Sequence, residues 1–188
     1  EYCGVSNSGH PYTLRSSPSE PMFGYVRQNG IKVYRPQSQS RFLFGGSFKD
    51  YYCFGQEQLP ATGDTLFITG GEKDVLSLAA HGFPAICFGS ETVRIPHRLI
   101  KELSQRFQNI ILLYDMDATG KKQAIALQQE LAEYNVSRIE LPLAGTKQEK
   151  DISDYFRLGH TATEFRRLMP RPEVRQYTQH KNGQTFKH

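Results

Sequence analysis

Ile110-Ile111-Leu112-Leu113-Tyr114-Asp115-Met116-Asp117-Ala118-Thr119-Gly120 is the stretch whose reading decides the fold. Its first five residues are the most apolar run of the chain, which suits a central strand covered on both faces. Two carboxylates follow at once, at i and i+2. While the chain stays extended they point the same way and aim at one spot past the strand end. Like charges so placed are costly unless a cation joins them. A hard ion such as Mg2+ suits carboxylate oxygens, keeps several waters and is commonly shared with substrate phosphates. Ala118-Thr119-Gly120 then turns the chain into a helix, whose first N–H groups also favour phosphate. An ordinary acidic loop capping that helix has the same spacing, so the pair alone leaves both readings open.

Outward from this strand the pattern is β-α alternation. Thr65–Thr69 is a short apolar run and a strand candidate, and Glu72–His81 places Val75, Leu76, Leu78 and Ala79 at helical spacing. Pro84–Phe88 reads as a second strand and Pro96–Phe107 as a helix with Pro at its first position, where the missing N–H costs little. Gly120–Tyr134 reads as a helix, Arg138–Leu141 as a fourth strand, and Asp151–Leu158 and Thr161–Met169 as short closing helices. Such alternation predicts a mostly parallel sheet flanked by helices. Sites in such folds gather at the carboxyl ends of the strands. That singles out Gly70-Gly71-Glu72, Gly89-Ser90-Glu91, Asp115-Met116-Asp117 and the loop Gly145–Asp151.

Upstream the character differs. Phe23, Tyr25 and Val26 precede Asn29-Gly30, and Ile31, Val33 and Tyr34 follow, a hairpin signal. Arg41–Phe44 and Tyr51–Phe54 read as further strands. The expected organisation is a lead-in or linker over 1–22, a small basic β-rich subdomain over 23–59, an α/β domain over 60–169 and a polar tail or linker over 170–188.

The bulk numbers bound the function. The 188 residues are 38% hydrophobic and 22% charged, with a net charge of +4. That is enough to bury a core, and the mild basic excess is as compatible with nucleic acid as with a soluble domain that happens to be basic. No stretch approaches the roughly 18 apolar residues of a membrane span. The polar opening Glu1-Tyr2-Cys3-Gly4 is no signal peptide, and without a starting Met the chain reads as a piece of a longer protein. Cys3, Cys53 and Cys87 have neither zinc-ribbon nor disulfide-framework spacing, so a reducing cytoplasm is expected. His10, His81, His97, His160, His180 and His188 show no metal-ligand spacing. The ten Tyr and twelve Phe read mostly as core, although several within 23–54 suit stacking on bases.

Three segments carry a resemblance. Tyr114-Asp115-Met116-Asp117-Ala118-Thr119-Gly120-Lys121-Lys122 resembles the Asp-x-Asp motif of TOPRIM domains in the form found in phage primase–helicases. Thr69-Gly70-Gly71-Glu72-Lys73-Asp74-Val75-Leu76-Ser77-Leu78 resembles the family's Glu-Gly-x-x-Asp strand-to-helix motif. Lys150-Asp151-Ile152-Ser153-Asp154-Tyr155-Phe156 resembles its closing Lys-Asp segment. The pieces stand in the family's order over roughly residues 64–158. Gly30–Pro36, Arg41-Phe42 and Phe54-Gly55 look like the basic subdomain that precedes TOPRIM in primases. One departure stands out: with Asp74 aligned, the family's general acid/base or ligand Glu falls on Gly70.

The resemblance implies an α/β TOPRIM-like fold and a DNA primase-type nucleotidyltransferase that makes RNA primers on single-stranded DNA from NTPs. It implies Mg2+ or Mn2+ held by Asp115, Asp117 and Asp151, with Glu72 as catalytic carboxylate from a shifted position. Asp74 and Glu91 would support them, and Lys32, Arg35 and Arg41 would hold template or nucleotide phosphates. Helix-dipole complementation would equally explain Glu72, and helix capping Asp151. A helicase, fused or separate, is the expected partner, and no membrane. The alternatives are a TOPRIM nuclease or topoisomerase, or a catalytically weakened nucleic-acid-binding module of a phage or mobile-element replication protein. A flavodoxin-like receiver or small hydrolase would also place carboxylates at strand ends, without explaining the basic β unit.

Overall fold

The computed structural model describes residues 1–6, 8–48 and 51–170. The tail expected from 170 onward, with His180 and His188, lies beyond Pro170 outside the described residues.

The chain opens with a hairpin, β1 (Tyr2–Val5) against β2 (Pro11–Leu14). Part of the stretch expected as a lead-in or linker over 1–22 is thus strand. The run is rich in Ser, Pro and Gly, but two four-residue strands flank the turn closed by Ser6 N–H donating to His10 O at 2.8 Å. Strands β3 (Phe23–Arg27), β4 (Gly30–Tyr34) and β5 (Phe42–Gly46) form an antiparallel sheet in that order. Arg27 pairs with Gly30, so the β3–β4 turn centres on Gln28-Asn29, one residue before the Asn29-Gly30 signal.

The main sheet has the order β10-β9-β7-β8-β6. Its strands are β6 (Cys53–Phe54), β7 (Gly63–Thr69), β8 (Ala85–Phe88), β9 (Phe107–Leu113) and β10 (Val136–Arg138). All neighbours are parallel except the β6 edge, which runs antiparallel to β8. The helices are α1 (Glu72–Ala80), α2 (His97–Arg106), α3 (Ala118–Glu130), α4 (Ile152–Arg157) and α5 (Ala162–Leu168). The last strand ends three residues earlier than expected. It pairs Val136 to Arg138 with Ile110 to Leu112, and beyond Ile139 the chain leaves the sheet.

Period-two alternation in β7 and β9 builds two cores. Leu66, Ile68, Ile110 and Leu112 pack with Leu99, Ile100, Leu103, Ala124 and Leu127 of α2 and α3. Phe67, Ile111 and Leu113 pack with Val75, Leu78, Ile152, Tyr155 and Phe165 of α1, α4 and α5. A strand covered on both faces can be apolar throughout, which explains the unbroken run at 110–114. The crossover β7-α1-β8 goes one way along the sheet and β8-α2-β9 returns past β7. The reversal makes the carboxyl ends of β7 and β9 the topological switch point, where sites form in such sheets.

Candidate metal and nucleotide site

Three elements deliver carboxylates to the switch point. Asp74 comes from the first turn of α1, Asp115 follows β9, and Asp151 precedes α4. One side-chain oxygen of each lies within 4.8 Å of the other two, and Asp74 and Asp151 are buried. Local bonds fix each group. Asp74 Oδ1 accepts Ser153 Oγ at 2.8 Å. Asp151 Oδ1 caps α4 through the Asp154 N–H at 2.8 Å, while its Oδ2 accepts Lys73 Nζ at 2.7 Å. The Met116 N–H donates to Lys150 O at 2.7 Å, tying the two acidic segments together.

Asp117 behaves differently from its partner in the Asp-x-Asp pair. It is the N-cap of α3, with Oδ1 accepting the Gly120 N–H at 2.9 Å. A Cβ on Gly120 would stand 2.2 Å from Asp115 O, so only glycine lets the helix start this close to the acidic turn. The other Asp117 oxygen faces Lys150 Nζ at 3.5 Å. That ammonium also makes a short ion pair with Asp115 Oδ2. The motif thus divides: Asp115 joins Asp74 and Asp151, and Asp117 organises the helix beside them.

The charges are unevenly balanced. Burial pushes the Asp74 carboxyl up, and the neighbouring Asp151 adds to it against Lys73 and Ser153. Burial also raises Asp115, opposed by Lys150 and reinforced by Asp151 and Asp117. Glu91 is pushed up to about 7 by burial, although it accepts the Asp115 N–H. Asp117 goes the other way, held down chiefly by the Gly120 N–H. Burial works against the charge of Lys150, but Asp115 and Asp117 outweigh it and its pKa rises. Carboxyls that retain protons while lying together lack positive charge. Hard oxygen donors grouped this closely fit a divalent cation, with ligand distances of about 2.1 Å for Mg2+.

The remaining expected residues lie elsewhere. Glu72 Oε1 accepts Lys32 Nζ at 2.7 Å with both side chains about 5% exposed or less. Lys32 also donates to Gly89 O at 3.3 Å and lies 4.6 Å from the Phe42 ring centre. A catalytic Glu72 needs a carboxylate open to substrate, and a phosphate-binding Lys32 needs an open ammonium. The structure commits each to the other. Arg35 is half-buried and Arg41 exposed. The Arg41 guanidinium donates to Tyr34 Oη at 3.0 Å and lies over the Tyr34 and Phe42 rings at 5.5 and 5.9 Å. Phe23, Tyr34 and Phe42 form an aromatic row beside it, with Phe23 and Phe42 about half exposed.

Sequence reasoning underweighted Asp74. The resemblance gives it only a supporting role beside Glu72, but its spacing to Glu72 puts the two on different sides of α1. Among the described residues no helix is long and apolar enough to cross a membrane.

Comparison with known proteins points to the same fold. Residues 67–156 match the family model described as Toprim-like. No curated protein matches the chain. The primase fragment of the bacteriophage T7 primase-helicase protein is similar at 23% identity, with 78% of this chain and 61% of that chain covered and a TM-score of 0.55. The Escherichia coli primase catalytic core aligns over 88% of this chain and 56% of its own, at 18% identity and a TM-score of 0.64. A DnaG primase catalytic domain bound to single-stranded DNA gives the same coverage and a TM-score of 0.65. The chain therefore spans a little over half the length of those bacterial cores. At these identities the likeness establishes the fold.

Proposed function

From a chain whose residues 67–156 form a Toprim-like domain, within a fold shared with phage and bacterial primase cores, we propose metal-dependent nucleotidyl transfer: RNA-primer synthesis on single-stranded DNA. The observation that carries this reading is the Asp74, Asp115 and Asp151 group, whose oxygens lie within 4.8 Å of one another at the switch point of the sheet. These three residues would hold Mg2+ or Mn2+. The bound ion would neutralise and orient nucleotide phosphate during attack of a 3′-hydroxyl on the α-phosphorus.

The chain's own groups have separable tasks. Asp117 fixes the start of α3 by accepting the Gly120 N–H, and the positive end of that helix would favour phosphate nearby. Lys150 and Lys73 hold Asp115, Asp117 and Asp151 in place while adding positive charge. Arg35 and Arg41 are our candidates for the template backbone, a contact that weakens with salt. Lys32 and Glu72 lock the small β unit onto the α/β domain, so that template contacts and carboxylates keep one spacing. A helicase, in the parent chain or separate, and a cytoplasmic replication setting complete the proposal. A second reading, nucleic-acid binding without turnover, is favoured by the absence of a side chain at Gly70 and by the pairing of Glu72.

The test is primer synthesis by the full-length parent on single-stranded DNA, with labelled NTPs and Mg2+ or Mn2+. Wild type should make short products, and Asp115→Asn should make roughly 100-fold fewer. A folded, DNA-binding parent that makes none under any condition would decide for the binding module.

A further inference from the structure

The loop after β8 carries a carboxylate that none of the three motif segments contains. Glu91 reaches across the end of β7, and its Oε1 accepts the Asp115 N–H at 2.9 Å. The space it occupies belongs to position 70. A Cβ on Gly70 would stand 2.7 Å from Glu91 Oε1 and 3.2 Å from its Cδ and Cγ. Gly70 is not among the glycines with positive φ, so backbone freedom does not account for it. The Glu91 side chain packed against it does. The atoms in the way are the far end of a flexible side chain, so a residue at 70 would be accommodated by expelling the Glu91 carboxylate.

We propose that Glu91 is a further carboxylate of this site, delivered from the β8–α2 loop into the space of the missing Gly70 side chain, where it positions the Asp115 turn for a divalent cation. The proposal rests on the reading of the site as cation-dependent. The other acids near the end of β7 are already committed: Glu72 to Lys32, and Asp74 to the group with Asp115 and Asp151. Among the described residues, Glu91 is the acid whose side chain bonds the Asp115 backbone, and it does so from the opposite loop. Glycine at 70 and glutamate at 91 thus form one unit, in which the first makes room for the second.

The experiment measures Mn2+ affinity of the full-length protein from the electron paramagnetic resonance signal of free Mn2+, with thermal unfolding as the check on folding. Glu91→Ala should weaken binding by about 10- to 100-fold. Glu91→Gln keeps an acceptor for the Asp115 N–H without the charge and should fall between. Gly70→Ala, which touches no ligand, should match Glu91→Ala by displacing the carboxylate. The relocation variant Gly70→Glu/Glu91→Ala should recover most of the affinity. Wild-type affinity in folded Glu91→Ala, or a folded relocation variant that binds no better than Glu91→Ala, overturns the proposal. Asp115→Asn separates the two levels. If it abolishes Mn2+ binding while Glu91→Ala does not, only the Glu91 inference fails. If it leaves binding intact, the cation reading of the whole site fails with it.

Discussion

Glu72 and Asp74 stand two residues apart in the first turn of α1, both buried, with opposite surroundings. Glu72 meets the Lys32 ammonium at 2.7 Å, and the rings of Phe42, Phe44 and Tyr52 cluster around that ammonium. Asp74 meets two more carboxylates and is pushed toward its protonated form. A buried charge therefore says little by itself. Where a partner neutralises it the result is a joint between two parts of the chain, and where neighbours leave it in excess the result is a place that a cation would suit. Tyr52 belongs to the joint. Its hydroxyl is buried without a hydrogen bond among the described residues, and burial beside Glu72 pushes it up.

Stability measurements can break this contrast. The largest effect belongs to the joint. Lys32→Met leaves Glu72 buried and unpaired and should cost about 3–5 kcal/mol in urea unfolding, whereas Lys32→Met/Glu72→Leu should be close to neutral. If the single variant costs no more than loss of the exposed Arg94–Glu130 pair, worth about 0–1 kcal/mol, the two regions do not differ as described.

Next comes the response of the carboxylate site to pH. Glu91 rises from 4.5 to about 7 in the folded chain, so between those values the native state keeps a proton that the unfolded state releases. Stability of the metal-free protein from this group should therefore fall as pH rises through that window, and Asp74 pushes the same way. Added Mg2+ should raise Tm by a few degrees at about pH 8 and by less at about pH 5. Equal shifts at both pH values would count against a proton-cation exchange here. The smallest effect should be Asp117→Ala, which removes the α3 cap and costs about 1 kcal/mol in the same unfolding assay. A much larger loss would mean that Asp117 does more than organise the helix.

Much of this was legible in the sequence. The runs of β7, β8 and β9 and the spacings of α1 to α5 were readable, because strands buried on both faces and amphipathic helices leave strong patterns. The hairpin β1–β2 was not. Its strands are short and partly exposed, and the Ser, Pro and Gly content of 1–22 passed for linker composition. At the site, Asp115 and Asp151 stood out by motif, but which carboxylates would converge depended on tertiary placement. Asp74 stood in the motif only as a supporting acid, and its place beside Asp115 and Asp151 is set by packing. The Glu72–Lys32 pair joins residues forty positions apart, and no local pattern encodes such a contact. Gly70 stood out as a departure and Glu91 as a supporting acid; that one fills the space of the other is a matter of packing alone.

The short edge strand β6 has a consequence for modularity. Cys53 and Phe54 lie within the stretch 23–59 expected to form the small β unit, yet they pair with Phe88 and Cys87 and complete the five-stranded sheet. The upstream piece therefore lends a strand to the downstream one. A cut at residue 60 would look clean along the chain, but it would bare the backbone of β8 as an open edge ready to recruit a foreign strand. The two parts can be transplanted into another protein only together, so recombination that shuffles such domains would have to carry the unit from the three-stranded sheet onward as one cassette.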